Sequence, residues 1–224
     1  MTAPFLLRRS KSQVLSDLPE KDEKTIYSGM EDEQRKLYLA AHKQLVDQLQ
    51  GIDSAYYEKN KIFILSQLTK LRQICCHPAL CYDDYQGSSA KLEACMELVQ
   101  RAVKGKHKVL LFSQFTSMLD LIRERLAEQN TKYYCLTGNT DKQERQRLVD
   151  EFQNDDTPVF LISLKAGGTG LNLTAADIVI HYDPWWNVAA QNQATDRAHR
   201  IGQKNTVTAV SYTHLRAHET TLHL

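Results

Sequence analysis

The sequence has 224 residues, of which 42% are hydrophobic and 25% are charged, a balance typical of globular proteins and unlike that of disordered, collagen-like or membrane chains. A chain of this length buries about 70% of the surface that its unfolded form exposes, so it needs neither disulfides nor a structural metal to fold. Lysine and arginine number 28 against 27 aspartate and glutamate residues, so a nucleic-acid site has to be a local patch.

The five cysteines form an odd set without a paired CxxC pattern, which indicates free thiols in a reducing compartment. Cys75, Cys76, His77 and Cys81 could be drawn as a zinc site. Zinc centres normally use two well-separated ligand pairs, however, and free cysteines usually just pack in the interior, so we predict no metal site.

The longest apolar runs are far shorter than the roughly 18 residues of a membrane span. Residues 3–7 precede Arg8-Arg9 instead of following a basic region, so no signal peptide is predicted. We expect no membrane contact, and a location in the cytoplasm, associated with the nucleoid, if the source is bacterial, or in the nucleus if it is eukaryotic.

The first 107 residues are predicted to be helical. Apolar residues recur every three or four positions between residues 65 and 75, which gives one helix face that must stop near Pro78. Segments 31–50 and 91–103 show the same periodicity, with a turn at Gly87-Ser88-Ser89 and a stop signal at Gly105. We expect these helices to form a packing collar rather than a reaction centre.

From residue 108 onward, short apolar runs alternate with amphipathic helices. Strands are predicted at 109–113, 133–136, 159–163, 177–182 and 206–210, and helices at 117–128, 141–152 and about 187–198. This alternation predicts βαβ units and a parallel sheet covered on both faces. Ligands of such sheets bind outside the carboxyl ends of the strands, so the candidate site comprises the loops after Ser113, Leu136, Ser163 and Asp183.

A glycine cluster, KAGGTGLNL at 165–173, follows the strand at 159–163. Glycine allows close approach and positive φ, so consecutive amides can converge on an anion such as a phosphate. A tight strand-to-helix turn explains the cluster equally well. The chain contains no GxxxxGK[ST] sequence, so the usual cradle for the β and γ phosphates of a nucleotide is missing.

The predicted helix after Trp186 has two stripes. Polar residues three or four positions apart form the first: Gln193, Asp196, Arg197 and Arg200. Small or apolar residues form the second: Ala190, Ala194, Ala198 and Ile201. Any amphipathic surface helix shows such a pattern. Two arginines one turn apart beside a glycine loop favour phosphate recognition and neutralisation of a phosphoryl group during transfer.

The segment DPWWN, residues 183–187, lies between these two features at the end of a predicted strand. An aromatic side chain beside a basic surface can stack on a base or press on a sugar, whereas the structural alternative is burial between helix and sheet. We expect one tryptophan in each role.

Five motifs in order closely resemble the second RecA-like lobe of Swi/Snf-type ATPases, which are superfamily-two, helicase-like motors that translocate on duplex DNA. They are VLLFSQF (109–115), LTG (136–138), SLKAGGTGLNL (163–173), DPWWN (183–187) and QATDRAHRIGQ (193–203). Three N-terminal segments resemble those that link the two lobes in that family: PFLLRR (4–9), LPEK (18–21) and LRQICCHP (71–78). The resemblance implies an α/β fold, with a RecA-like parallel sheet at 108–210 that has helices on both faces, preceded by a helical inter-lobe linker region at 1–107.

The resemblance also implies roles for single residues. Arg197 and Arg200 match the arginine fingers that reach the γ phosphate of ATP held by the other lobe, and Gln193 matches the glutamine that opens the same motif. The motif that couples nucleotide to the DNA backbone contains Gly168, Thr169, Gly170 and Asn172. Contacts with DNA are implied for Gln114, Thr137, Gly138, Thr169 and Trp185, with the choice between Trp185 and Trp186 left open.

The implied cofactors are ATP and Mg²⁺, both held mainly by an N-terminal lobe that this sequence lacks. The implied partners are double-stranded DNA, that N-terminal lobe and DNA-bound proteins as remodelling targets. Without the phosphate-cradling loop and the acidic metal motif of the other lobe, the chain is expected to be half a motor and inactive alone.

Two features leave alternatives. Residues 211–224 do not resemble the bracing helix of the family and are similar to translated sequencing-adapter read-through, so we predict an atypical, non-native tail. The chain is alternatively a non-catalytic nucleic-acid-binding or scaffold domain, or an RNA helicase lobe. The presence of both Arg197 and Arg200 favours a motor over a scaffold, and the tryptophan pair with the long helical preamble resembles the duplex-DNA branch.

Overall fold

The computed structural model describes residues 18–50, 54–166, 170–184 and 187–214. In chain order its elements are β1 (Lys21–Ser28), α1 (Asp32–Leu49), α2 (Ser54–Cys76), a short 3₁₀ helix (Pro78–Leu80), α3 (Ala90–Lys104), β2 (Val109–Ser113), α4 (Thr116–Glu128), β3 (Tyr133–Leu136), α5 (Lys142–Asn154), β4 (Val159–Ser163), β5 (Ile178–His181), α6 (Val188–Thr195) and β6 (Val207–His214).

Within the described ranges, six strands form one sheet in the order β1-β6-β5-β2-β4-β3, and every neighbouring pair is parallel. Successive residues of a strand point to opposite faces, so the central strands feed two cores. Leu111 and Leu161 pack in one core with residues of α3 and α4, and Leu110 and Phe160 pack in the other with residues of α5 and α6. The predicted parallel sheet with helices on both faces is confirmed.

Strand β1 was not predicted, and the expectation of a helical region at 1–107 is wrong for Lys21–Ser28. This strand pairs with β6 along its whole length, from Lys21 opposite Val207 to Ser28 opposite His214. It is an edge strand with mostly exposed side chains. Within the strand, Lys21 forms an ion pair with Glu23, and Lys24 forms one with Asp22. An edge strand that faces water needs no apolar alternation, so the sequence pattern gave no signal for it.

Strand β6 is longer than predicted and includes the first residues of the predicted tail. Ser211 pairs with Thr25, and Tyr212 is fully buried, with its hydroxyl donating to the Ala94 carbonyl at 3.0 Å. Residues 215–224 lie outside the described residues. That the tail is non-native, and that the chain divides into a linker and a lobe near residue 107, stay predictions.

The C-terminal end of α2 is attached to the sheet. The Cys76 carbonyl accepts hydrogen bonds from the Tyr182 hydroxyl at 2.9 Å and the Ser89 hydroxyl at 3.1 Å. The Gln34 amide donates to the Ile74 carbonyl at 2.8 Å. These donors satisfy carbonyls that a helix end otherwise leaves without partners, and they hold α2 beside the carboxyl end of β5.

None of the helices in the described part of the chain combines the length and the apolar composition that a bilayer span requires.

Candidate functional site

The carboxyl ends of β2, β4 and β5 meet at one edge of the sheet. Ser113 lies opposite Ser163 in the register, and the Leu164 amide continues the ladder by donating to the Ser113 carbonyl at 2.9 Å. The Gln114 amide donates to the Asp183 carboxylate at 3.1 Å. Three of the four loops selected from the sequence are therefore side by side.

Asp183 connects, through its side chain, the loop after β2 to the loop after β5. Its side chain is buried, and burial raises the pKa of its carboxyl group, while hydrogen bonds from the Ser113 hydroxyl and the Gln114 amide oppose that rise. The carboxylate thus fixes the start of the loop after β2 to the start of the loop after β5. Trp185 and Trp186, which follow Pro184, lie outside the described residues.

The Gln114 side chain, a predicted DNA contact, is held by a residue of α2. Arg72 donates through Nη1 to Gln114 Oε1 at 2.8 Å and through Nη2 to the Pro184 carbonyl at 2.9 Å. Gln114 Nε2 is buried and has no hydrogen-bond partner among the described residues. Sequence reasoning did not select Arg72, whose only signal was its place in the segment LRQICCHP.

The loop after β3 carries Thr137 and Gly138 at the outer side of the sheet. The Thr137 amide donates to Thr140 Oγ1 at 3.1 Å, and the Thr140 amide donates back to the Thr137 carbonyl at 3.2 Å. Gly138 is exposed, and a Cβ atom built on it would have no heavy atom within 4 Å. The backbone at Gly138 is therefore open to an approaching group such as a phosphate.

Of the glycine cluster, Gly170 and Asn172 are described and exposed, whereas Gly168 and Thr169 lie outside the described residues. Gly170 and Asn172 line a cavity of about 710 Å³ together with Lys142 and Arg145 of α5. Sequence reasoning missed these two basic residues, because a polar face on an amphipathic helix carries no signal of its own. The cavity joins the glycine cluster to a face of α5 that carries these two basic residues and Asp150.

The arginine segment differs from the prediction. Helix α6 ends at Thr195, and residues 196–200 form turns and bends, so Arg197 and Arg200 do not share a helical stripe with Gln193. Gln193 is exposed on the helix. In the predicted apolar stripe, Ala194 and Ala198 are buried, but Ile201 is 70% exposed.

Tertiary hydrogen bonds explain why the helix stops early. The buried Gln203 amide donates to the carbonyls of Ala198, Thr174 and Ala176 at 3.2, 3.1 and 2.7 Å. Gly202 has a φ of 101°, a conformation that L side chains rarely adopt, and it turns the chain so that Gln203 reaches these carbonyls. The Leu173 amide donates to the Arg197 carbonyl at 3.0 Å, which ties the glycine cluster to the arginine segment.

Arg197 is a buried arginine with incomplete hydrogen bonding in the described structure. It is 7% exposed, and its Nε and Nη2 atoms have no hydrogen-bond partner among the described residues. Burial lowers the pKa of this guanidinium, the nearby charge of exposed Arg200 lowers it further, and the charge of Asp196 opposes both effects. Unsatisfied buried donors are costly, so this arrangement fits an anion that arrives from outside the chain.

The cysteines do not form a metal site in the described residues. None of the five forms a disulfide bond, and no group of three histidine, cysteine, aspartate or glutamate residues in the described ranges could hold a metal ion. Burial raises the pKa of Cys75 to about 11 and also raises that of Cys76. His77 Nδ1 accepts from the Ala79 amide at 3.2 Å and caps the 3₁₀ helix.

Comparisons with known proteins match most of the chain. The helicase conserved C-terminal domain family matches residues 90–202, and the SNF2-related domain family matches residues 1–80. An uncharacterized ATP-dependent helicase of Mycoplasma pneumoniae is 41% identical over 210 residues, which are 92% of this chain and 20% of that protein. The ISWI chromatin-remodeling complex ATPase ISW1 of Saccharomyces cerevisiae is 36% identical over 217 residues, 91% of this chain and 19% of that protein.

The fold is also similar to that of a solved structure. The SWI2/SNF2 ATPase core of Sulfolobus solfataricus, in complex with double-stranded DNA, has a TM-score of 0.75 and 36% identity. The match covers 95% of this chain and 45% of that one. The chain spans about a fifth of the length of the two curated relatives. The RecA-like sheet expected from the motifs is confirmed by this structural likeness.

Proposed function

Because the chain belongs to the SNF2 family of helicase-like ATPases, we propose that it is the C-terminal motor lobe of an ATP-dependent translocase on double-stranded DNA. The lobe supplies Arg197 and Arg200 to ATP held by an N-terminal lobe. The observation that supports this proposal most directly is the buried guanidinium of Arg197, which has two nitrogen atoms without partners in the described residues.

The two arginines act on the charge of the transferred phosphoryl group. Water attacks the γ phosphorus, the bond to the β-phosphate oxygen breaks, and ADP and inorganic phosphate leave. Negative charge spreads over the equatorial oxygens in the transition state, and guanidinium groups are suited to neutralise it. Exposed Gln193 lies on α6, the helix that leads into this segment.

ATP and Mg²⁺ are held mainly by the N-terminal lobe in this proposal. The unpartnered donors of Arg197 fit a triphosphate, whereas the described part of the chain has no cluster of ligands for a metal ion. Gly168, Gly170 and Asn172 couple the nucleotide to DNA through the bond from the Leu173 amide to the Arg197 carbonyl.

Contacts with DNA are made at the exposed loops of the same edge. Thr137 and Gly138 offer a hydroxyl and an open backbone, and Lys142 and Arg145 place positive charge beside Gly170 and Asn172. Such contacts fix the lobe on phosphates without reading sequence. Gln114, Thr169 and Trp185 complete the set; the last two are assigned from the family motifs alone.

The partners are double-stranded DNA, the N-terminal lobe and DNA-bound proteins that the motor displaces. A curated relative is named as a chromatin-remodeling ATPase, which supports the last of these. The place of action is the nucleoid of a bacterium or the nucleus of a eukaryote.

The test compares this chain alone with a longer protein that joins it to an N-terminal lobe. We expect the purified 224-residue chain to hydrolyse ATP no faster than buffer with or without duplex DNA, because it contains no phosphate-cradling loop. The two-lobe protein should show DNA-stimulated hydrolysis. Hydrolysis by the chain alone would contradict the half-motor assignment, and a two-lobe protein without any activity would favour the scaffold alternative.

A further inference from the structure

We propose that Arg72 is a positioning residue that couples the linker helix α2 to the DNA-facing edge by orienting the side chain of Gln114. This inference rests on the proposed function, since the orientation of Gln114 matters for activity only if that edge meets DNA. Arg72 itself touches neither DNA nor nucleotide in this account.

The position of Arg72 is fixed by the end of α2. Arg72 lies one helical turn before Cys76, whose carbonyl accepts from the Tyr182 and Ser89 hydroxyls. The Gln34 amide donates to the carbonyls of Ile74 and Cys75, which lie in the same last turn of α2. Because these hydrogen bonds fix the backbone at the end of α2, they also fix where the Arg72 guanidinium meets the loops that follow β2 and β5.

The guanidinium bridges these two loops. Its Nη1 atom donates to Gln114 Oε1 at 2.8 Å and its Nη2 atom to the Pro184 carbonyl at 2.9 Å. Its carbon lies 5.9 Å from the centre of the Phe115 ring, within the range of a cation–π contact. The planar fork makes this two-way bridge possible, and the single ammonium of lysine lacks that geometry.

The bridge fixes the polarity of the Gln114 amide. Arginine has donors only, so the amide oxygen must face Arg72 and the nitrogen must point away from it. That nitrogen is buried and makes no hydrogen bond of ordinary geometry in the described residues, and the Gln114 side chain lies close enough to the Asp183 carboxyl group to oppose the rise that burial causes in the pKa of that group. Arg72 therefore keeps the amide from flipping and holds the loop that carries Gln114 in the form that meets DNA.

The experiment uses the two-lobe protein and measures ATP turnover against duplex-DNA concentration. We expect Arg72→Ala to raise the half-saturating DNA concentration about tenfold, while kcat at saturating DNA falls less than threefold. Arg72→Lys should restore only part of this loss. An Arg72→Lys variant with wild-type DNA dependence, or an Arg72→Ala variant that lowers kcat alone, would overturn the inference.

Arg123→Ala is the matched control. Arg123 donates to Asp120 at 3.0 Å and lies 6.0 Å from the centre of the Tyr133 ring, so like Arg72 it combines a side-chain hydrogen bond with an aromatic contact, but it joins no loop of the proposed DNA-facing edge. Its aromatic partner Tyr133 is the first residue of β3, so the contact lies at the amino end of a strand and not at the carboxyl ends, where the proposed DNA-facing loops lie. Its removal should leave the DNA dependence unchanged, and an equal effect of both variants would overturn a specific role for Arg72.

A double-mutant cycle separates this inference from the proposed function. If Arg72 acts through Gln114, the double variant Arg72→Ala/Gln114→Ala should match Gln114→Ala alone. If Trp185→Ala raises the half-saturating DNA concentration but Gln114→Ala does not, the inference about Arg72 fails, whereas the proposed DNA-facing edge is supported. If neither variant changes it, the proposed DNA-facing edge itself is wrong.

A spectroscopic measurement on the 224-residue chain guards against misfolded variants. The side-chain amide resonances of Gln114 should shift in both Arg72→Ala and Arg72→Lys, while the backbone resonances of β2 and β4 stay in place. Unchanged Gln114 amide resonances in both variants would show that Arg72 does not hold this side chain.

Discussion

Arg72 and Arg197 are two arginines held within the same fold, but their surroundings differ in one decisive respect. Arg72 donates to a side chain and to a carbonyl of this chain, at 2.8 and 2.9 Å. Arg197 is more deeply buried, and two of its nitrogen atoms have no partner in the described residues. An arginine with internal acceptors holds loops together, whereas one without them is suited to an anion supplied by another domain.

The largest expected effect concerns the arginine segment. In the two-lobe protein, Arg200→Ala should lower kcat by about 10³-fold with little change in the KM for ATP, because an arginine finger acts on transition-state charge. Arg200→Lys should not rescue turnover, since it lacks the planar fork. Near-normal turnover of Arg200→Ala in steady-state kinetics would show that Arg200 is not an arginine finger but an ordinary solvent-exposed residue.

Stability should separate the two arginines in opposite directions. Arg72→Met should lower the free energy of unfolding of the 224-residue chain by about 2 kcal/mol, because it leaves Gln114 Oε1 and the Pro184 carbonyl short of donors. Arg197→Met replaces a buried charge, two of whose nitrogen atoms have no partner in the described residues, with an apolar side chain, so it should leave that free energy unchanged or raise it by about 1 kcal/mol. Urea denaturation measures the unfolding free energy of both variants. Equal losses in the two variants would show that the two arginines do not differ in their contribution to stability.

His181 extends the comparison to a buried group that stays neutral. Burial lowers its pKa to about 4, and its Nε2 atom lies 2.9 Å from Thr195 Oγ1 at the end of α6. The unfolded chain binds a proton below about pH 6.5 that the folded chain refuses, so this contribution is complete above that pH and is lost as the pH falls toward 4.

Between pH 7 and pH 5 the loss should amount to about 2 kcal/mol of unfolding free energy. His181→Gln should remove this part of the pH dependence in urea denaturation measured at both values. His107→Gln is the control, because His107 is half-exposed and pairs with Asp177 at 2.8 Å at the other end of the sheet. A His181→Gln variant with the same pH dependence as wild type would refute the assignment.

The smallest expected effect is on the salt dependence of DNA binding. The chain has a formal net charge of +1 and few basic residues at the edge, so log K should fall against log salt with a slope of only a few units, about 0.9 per phosphate contact. Lys142→Ala should reduce the slope by about one, while Arg72→Ala should weaken binding without changing it. Fluorescence anisotropy at several salt concentrations tests this, with exposed Lys132→Ala as the control.

Much of the fold follows from local pattern, and the exceptions have physical causes. The strands at 109–113, 133–136 and 159–163 were predicted at their observed bounds, because each is an apolar run between turn signals. Strand β1 carries no such pattern, since most side chains of this edge strand are exposed to water. The end of α6 is set by Gln203 and its three carbonyl partners, which no local window contains.

The candidate site shows the same division. The rule that ligands bind at the carboxyl ends of parallel strands selected the loops after Ser113 and Asp183, and the structure joins them through the Gln114 amide. Arg72 was missed because its partners, Gln114 and Pro184, are 42 and 112 residues away in the sequence. Whether a guanidinium is paired or unpaired depends on such distant contacts.

The measurement that tests the central claim most directly is the ATP turnover of the two-lobe protein carrying Arg197→Met, at saturating ATP and duplex DNA. We predict a fall in kcat of about 10³-fold or more, in a lobe that is as stable as wild type, because in the proposed mechanism this charge acts on the γ phosphate. Turnover within a few-fold of wild type would contradict the claim and show that the Arg197 guanidinium serves no phosphate.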